Sequence, residues 1–361
     1  MKNFRTILLL TAFNLAAFQN LFGQAQKLES AQPTPANPII SPEFYISSIF
    51  DERIGQDSIG TLLFSTNEKS VTHKLALQSA SLAGITKTLG KHLVRNTTLT
   101  PISIRIKECR INENLLGNDR VSGEVNLIFM FDLEKEAGSV PLTQYKSTAR
   151  YTRSLTNLSI VEPTLEKVLS NSLKFLNGWL QAEKSTNPKL AKGLKISFRE
   201  YLDQHDDTVY YDPSRPLTWE DFREKRSESK FAASVFPSFG YDQRIKTEDG
   251  KIAIELVLKV FVVKSASWVG RGTRSNYNLQ HEQRHFDLVK LVAERFKKKL
   301  LTEKLTPENY QGIINFEYLE FYREMNKIQQ EYDDQTSHGL SAVIQEFWNR
   351  KIDAELKLVE N

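Results

Sequence analysis

The amino-acid sequence predicts an α+β protein of two domains. In the first half, short stretches alternate apolar and polar residues, as half-buried strands do, and amphipathic helical stretches flank them. In the second half one strong strand, Lys251–Val263, precedes three long helical stretches. Between the halves lies a polar run, Glu183–Gly193, that holds Pro188 and ends on Gly193. The chain has 361 residues, 25% charged and 40% hydrophobic, an ordinary globular composition with length enough for two domains.

The first residues read as a targeting segment. Lys2 and Arg5 supply positive charge, Thr6–Phe18 is apolar, and Gly23 and Ala25 are the small residues a signal peptidase reads. Residues 1–25 are therefore expected to be a cleaved signal peptide. The apolar run is shorter than the ~20 residues needed to span a bilayer. Cys109 is the only cysteine, so there is no lipoprotein attachment at the cleavage site, no internal disulfide and no cysteine-rich zinc site. The expected product is secreted or periplasmic, with no transmembrane segment after cleavage. A formal net charge of +4 gives no reason to expect a nucleic-acid partner.

Residues 26–43 are rich in Pro, Ala, Ser and Gln without periodicity and read as a flexible linker. Residues 44–183 follow as an accessory domain. Its elements are a helix over Lys74–Leu93, strands over Ile102–Ile111, Val121–Leu133 and Gln144–Leu155, and a helix over Glu162–Ala182, together a helix on an antiparallel sheet. Residues 194–361 form the second domain. Leu194–Leu202 and Thr208–Asp212 read as strands, and Thr218 as an N-cap before Trp219, Glu220 and Asp221. After Lys251–Val263 and the loop Gly270–Asn276, helices are expected over about residues 279–301, 307–331 and 340–358.

The chemistry concentrates in "LQHEQRHFDL", Leu279–Leu288. On a helix, residues four apart share a face, so His281 and His285 can bind one zinc ion together. Glu282 is rotated roughly 100° from His281, beside the ion and not on it. From there it can take a proton from a zinc-bound water, whose pKa the ion lowers towards ~7. The competing reading is two buried structural histidines on an ordinary helix. A third protein ligand is needed, and with a lone cysteine it must be His or a carboxylate. His338 is the first choice, because Gly339 permits a tight turn that folds "EYDDQTSHGL" back onto the ligand helix. Glu317, Glu320, Asp333 and Asp334 are its rivals. His205 is a weaker one, in the solvated run "DQHDD". Tyr332 can polarise an oxyanion or simply pack. Asp221 can orient a ligand histidine or serve a helix start.

Three segments carry a family resemblance: "RPLTWEDF" (Arg215–Phe222), "HEQRHFDL" (His281–Leu288) and "YDDQTSHG" (Tyr332–Gly339). "SASWV" (Ser265–Val269) and "QEFWNRKI" (Gln345–Ile352) add to it. From Leu194 to Leu358 the sequence resembles the predicted secreted zinc-dependent proteases of bacteria, a domain family of unknown function with an HExxH motif. The resemblance implies a zincin-like α+β metallopeptidase fold and one Zn2+ held by His281, His285 and His338. It also implies Glu282 as base and a protein or peptide substrate, an envelope component among the possibilities. In zincins a strand before the ligand helix borders the cleft and pairs with substrate, which suggests Lys251–Val263 for that place. The accessory domain resembles small envelope-lipoprotein domains in pattern only. The alternatives are a cell-envelope binding or assembly protein with a structural or vestigial zinc site, and a zinc hydrolase of a non-peptide amide.

Overall fold

The computed structural model describes residues 42–54, 60–66, 69–73, 81–91, 96–117, 119–203, 205–225 and 229–359. The expected signal peptide and nearly all of the expected linker lie outside them. The chain divides into two compact units, Met1–Ala182 and Glu183–Asn361, and mixes α and β structure as expected.

The first unit runs β1 (Phe44–Asp51), β2 (Gly60–Thr66), β3 (Lys69–His73), α1 (Leu82–Gly90), β4 (Thr100–Gly117), β5 (Arg120–Lys135), β6 (Gly138–Ser154) and α2 (Val161–Glu183). The three long strands β4, β5 and β6 form the expected antiparallel meander. β1 and β2 pair in parallel with successive parts of β4, and β3 continues the sheet beyond β2. α2 buries Leu165, Val168, Leu169, Leu173, Leu176 and Leu180, whose spacing of three and four puts them on one face. Tyr145 of β6 meets Phe175 of α2 at 5.3 Å between ring centroids.

One row across this sheet is polar and dry. Glu113, Gly123 and Tyr151 stand directly opposite one another on β4, β5 and β6. A Cβ on Gly123 would lie 2.2 Å from the Tyr151 ring, so the missing side chain is what lets the tyrosine lie across β5 and donate to Glu113 Oε1 at 2.6 Å. Arg153 Nε donates to the same oxygen at 2.7 Å, and both side chains are essentially inaccessible. Leu63 N–H donates to Glu113 Oε2, and Leu63 O accepts from Arg153, which ties β2 to the row.

The second unit runs β7 (Gly193–Glu200), β8 (Thr208–Tyr210), β9 (Ala233–Ser234), β10 (Pro237–Glu248), β11 (Lys251–Val263), β12 (Trp268–Val269), α3 (Asn276–Thr302), α4 (Tyr310–Thr336) and α5 (Ala342–Val359). β11 pairs along its length with β10 on one side and with β7 and then β8 on the other. This corrects the expectation that Lys251–Val263 borders a cleft: an interior strand has no free edge on which a substrate can pair. β9 and β12 form a separate short ladder. The polar run read as a boundary is tied into the second unit, since Gly250 N–H donates to Ser185 O and Lys192 N–H to Gly250 O.

α3 is buried nearly all round. Phe286, Val289, Val292, Ala293, Phe296 and Leu300 enter the core shared with the β10–β11 sheet. Leu288 and Leu291 join Tyr332, Trp348 and Ile352 of the two following helices. α4 continues to Thr336, further than the sequence suggests, so Tyr332 and Asp333 lie on its last turns and not in a loop.

The buried Glu113–Arg153 pair should be costly to break singly. Arg153→Met should destabilise the full chain by about 3–5 kcal/mol, because it strands a buried carboxylate. Adding Glu113→Met together with Tyr151→Phe should recover part of that loss, since Leu63 N–H still loses its acceptor. Denaturant unfolding of the two variants checks both expectations.

Candidate metal centre

Ser275 caps α3 by accepting from Asn278 N–H at 3.1 Å, which fixes the helix start just before the two histidines. His281 and His285 then lie one turn apart, their rings 5.0 Å between centroids and at 89°. α4 brings Gln329, Tyr332 and Asp333 against them, and α5 brings Gln345 against His281 with Asn349 behind it.

The hydrogen-bond network decides which ring nitrogen of each histidine is free. Arg284 Nε, which can only donate, donates to Asn349 Oδ1 at 3.1 Å. Gln345 Nε2 donates to that same oxygen at 3.0 Å, so Gln345 Oε1 is the atom facing His281 Nδ1 at 2.8 Å. Gln329 Nε2 donates to the backbone carbonyl of His285 at 2.8 Å, and its Oε1 meets His285 Nδ1. Each Nδ1 must therefore carry the proton, and in the neutral ring each Nε2 is a lone pair. Both Nε2 atoms point at Asp333 Oδ1, at 3.3 Å from His281 and 3.0 Å from His285.

Three acceptors thus converge with no hydrogen among them, an arrangement that needs a cation. The three ligand atoms lie within 4.8 Å of one another. Bonds of ~2.0–2.1 Å to a tetrahedral ion put its donors about 3.4 Å apart, close to the 3.3 and 3.0 Å from the two rings to Asp333 Oδ1, and two imidazoles with a carboxylate suit zinc chemically. In the metal-free protein the same carboxylate favours a proton on its neighbour. Burial lowers the His285 pKa, but the hydrogen bond and charge of Asp333 more than offset it and the net shift is upward. Burial likewise opposes ionisation of Asp333, yet the histidines hold its carboxyl well below the usual range.

Glu282 is 4% exposed and lies next to the two histidines on α3, near enough for their charge to act on it. Its Oε2 accepts from Val235 N–H at 2.7 Å, just past β9. Burial pushes its pKa up, against the opposing pull of His285, His281 and the Val235 N–H. Gly339 closes the centre from below: a Cβ there would stand 3.3 Å from the His281 ring, and its φ is +78°.

Of the residues singled out from the sequence, His281 and His285 lie side by side, with Glu282 next to them on α3. Asp333, one of the rivals for the third place, is the residue that joins the two histidines. His338, the first choice, sits at the rim with Nδ1 3.4 Å from Asp333 Oδ1 and its side chain 40% exposed. The other rivals are elsewhere. Glu317 faces Lys299 at 3.8 Å, Glu320 pairs with Arg323, Asp334 is exposed, and His205 bonds Tyr201 at 2.8 Å. Tyr332 is fully buried, accepts from Gln345 and donates to the His281 carbonyl, so it holds the rings and faces no open position. Asp221 takes both Arg215 nitrogens at 2.8 Å and the Thr218 N–H, and touches neither histidine.

No family model and no curated protein matches the sequence. Among solved structures, a Xanthomonas campestris protein described as DUF330 is similar at 13% identity over 42% of this chain and 90% of its own, with a TM-score of 0.26. An uncharacterised protein is similar at 8% identity over 40% of this chain and 99% of its own, with a TM-score of 0.19. Likeness at this level says nothing of the chemistry.

Gln329→Ala and Gln345→Ala should each weaken zinc binding about 10–100-fold, since each frees a ring to turn and to change tautomer. Glu317→Gln should leave it unchanged. Zinc affinity should also fall as pH drops through the raised His285 pKa, because the proton and the ion compete for Nε2. Chelator competition across pH measures all of these.

Proposed function

We propose that the second unit is a zinc-dependent hydrolase that cleaves a peptide bond. The observation that carries this reading is the convergence of His281 Nε2, His285 Nε2 and Asp333 Oδ1, with tautomers fixed from behind and a buried carboxylate alongside. When bound, the ion supplies Lewis acidity to a carbonyl and acidity to a water. The chain's own residues do the rest. Glu282 is held through Oε2 by Val235, which leaves Oε1 to carry the proton. It accepts a proton from the attacking water as the C–O bond forms, and passes it to the leaving nitrogen as the C–N bond breaks. Burial raises its proton affinity, which suits a group that must both take and return one.

The peptide substrate is read from the strand beside the base. Gly270 N–H donates to Ala232 O, and Trp268 lies opposite Ser234, so Ala232 and Ser234 turn their backbone groups towards β12. By alternation Ala233 and Val235 turn theirs the other way, and Val235 N–H meets Glu282 there. Ala233, itself buried at 8% exposure, thus turns its backbone to the same side as the base. The reading extends to an exported protein acting in the cell envelope, from the first 25 residues of the sequence. No helix among the described residues is long and apolar enough to cross a membrane.

A second reading, an envelope binding protein with a structural zinc, draws on one contact: His338 stands close enough to Asp333 to close the centre with a fourth protein ligand.

Glu282→Gln should retain one equivalent of zinc and lose about 10²–10⁴-fold in turnover of an unfolded protein substrate. His281→Ala, His285→Ala and Asp333→Ala should lose the zinc as well. Equal hydrolysis by wild type and Glu282→Gln would favour the structural-zinc reading.

A further inference from the structure

We propose that α5 docks on an anionic lipid surface through the face it turns away from the protein. The proposal concerns a surface outside the metal centre and does not depend on the ion.

α5 is apolar on both faces. The inner face carries Trp348, Ile352 and Leu356 with Gln345 and Asn349, and packs against α3 and α4. The outer face lies open: Val343 is 80% exposed, Phe347 61% and Leu358 79%, with Ala354 exposed between them. At about 100° per residue these four lie within roughly 60° of one another, in a stripe roughly 22 Å long. Leu340, 87% exposed, extends the stripe just before the helix begins. Single exposed apolar residues are ordinary on a protein surface, but a continuous row on one helix face marks a contact surface.

The charges indicate which surface. Going round the helix from the stripe, the first charged residues met are bases. Arg350 and Lys357 lie roughly 20–40° beyond one edge and Lys351 about 20° beyond the other. The acids come later, roughly 60–80° beyond the edges. Two of them are held by arginines of α3, Asp353 by Arg284 at 2.8 Å and Glu355 by Arg295 at 3.3 Å. The third, Glu346, meets Arg350 at 2.9 Å. Bases on both sides of an apolar stripe suit a helix lying in the headgroup layer, where long basic side chains reach lipid phosphates.

A second copy of the chain fits this face less well. In a two-fold helix pair, parallel or antiparallel, the flanks of the two seams face each other, so base would meet base on both sides. The contact is one of lying on a bilayer and not of crossing it, since no helix among the described residues is long and apolar enough to span.

The stripe starts beside the metal centre. Leu340 follows Gly339, which stands against the His281 ring, and Tyr277, 37% exposed, donates to the Gly339 carbonyl at 2.6 Å. Docking along α5 therefore brings the rim of that centre to the membrane face. Tyr277, with an apolar ring and a polar tip, suits the same boundary.

The test is vesicle sedimentation with the chain from Gln26 onward. This chain keeps every described residue and lacks the apolar run Thr6–Phe18, which could bind lipid by itself. The vesicles are phosphatidylglycerol mixed with phosphatidylcholine, or phosphatidylcholine alone, at low salt and with a chelator present. Wild type should bind the mixed vesicles at least about tenfold more tightly than the neutral ones. Val343→Ser combined with Phe347→Ser, both at exposed positions, should weaken that binding at least about tenfold. Lys351→Gln combined with Lys357→Gln should remove most of the preference for anionic lipid. Phe316→Ser, at a 60% exposed position on α4 outside the stripe, should change neither. A wild type that stays in solution with both vesicles would overturn the proposal, as would binding that the Val343 and Phe347 changes leave intact. So would a wild-type dimer in analytical ultracentrifugation that these two changes make monomeric, because the face would then belong to a second copy.

Discussion

Two amide carbonyls, Gln329 Oε1 on α4 and Gln345 Oε1 on α5, set the chemistry of the two histidines on α3. Each forces a proton onto Nδ1 and so leaves a lone pair on Nε2. Their own orientation is not free. A guanidinium fixes one through Asn349, and a backbone carbonyl fixes the other. The chain of donors and acceptors runs from groups that can only donate or only accept to the point where three lone pairs meet. Everything proposed for the protein depends on that polarity. Reverse either glutamine and the lone pair moves to the wrong side of the ring.

The rotation of α3 separates the roles. Phe286, Val289 and Phe296 belong to the sheet-side core, and Glu282 is four residues from Phe286 on that same face. Leu288, one heptad beyond His281, packs instead with Tyr332, Trp348 and Ile352 of α4 and α5. One helix thus turns its carboxylate towards the strand edge and its imidazoles towards the helices. The sheet core acts as the key that sets this rotation, because burying those aromatic rings stabilises only one orientation of the helix.

The α+β class, the meander β4–β6, α2 and the three C-terminal helices were legible because their apolar periods are long and regular. β1 was not, because its burial is partial and irregular and its pairing is parallel to a distant strand. β10 was passed over although Phe239, Tyr241 and Ile245 alternate with Gly240, Asp242 and Arg244; Gln243 breaks the apolar row, and the pairing is set by β11. The pair His281 and His285 with Glu282 was legible because the spacing lies within one helix. The place of Asp333 beside the histidines was not legible for a local reason: "YDDQTSHG" reads as a polar loop, whereas α4 runs through it to Thr336. Helical spacing of Gln329, Tyr332, Asp333 and Thr336 was the available signal, with Gln345, Trp348, Asn349 and Ile352 as its counterpart on α5. Polar residues at core positions of two amphipathic helices mark a buried network, and that network is what holds the histidines.

The account's central claim is that His281 Nε2, His285 Nε2 and Asp333 Oδ1 hold one metal ion. Anomalous diffraction at the zinc absorption edge, on crystals of the full chain grown with zinc, tests it most directly. The account predicts a single strong peak in this unit, ~2.0–2.1 Å from both Nε2 atoms and ~2.0–2.2 Å from Asp333 Oδ1. A protein saturated with zinc that shows no peak there, or a peak held by other residues, would contradict it.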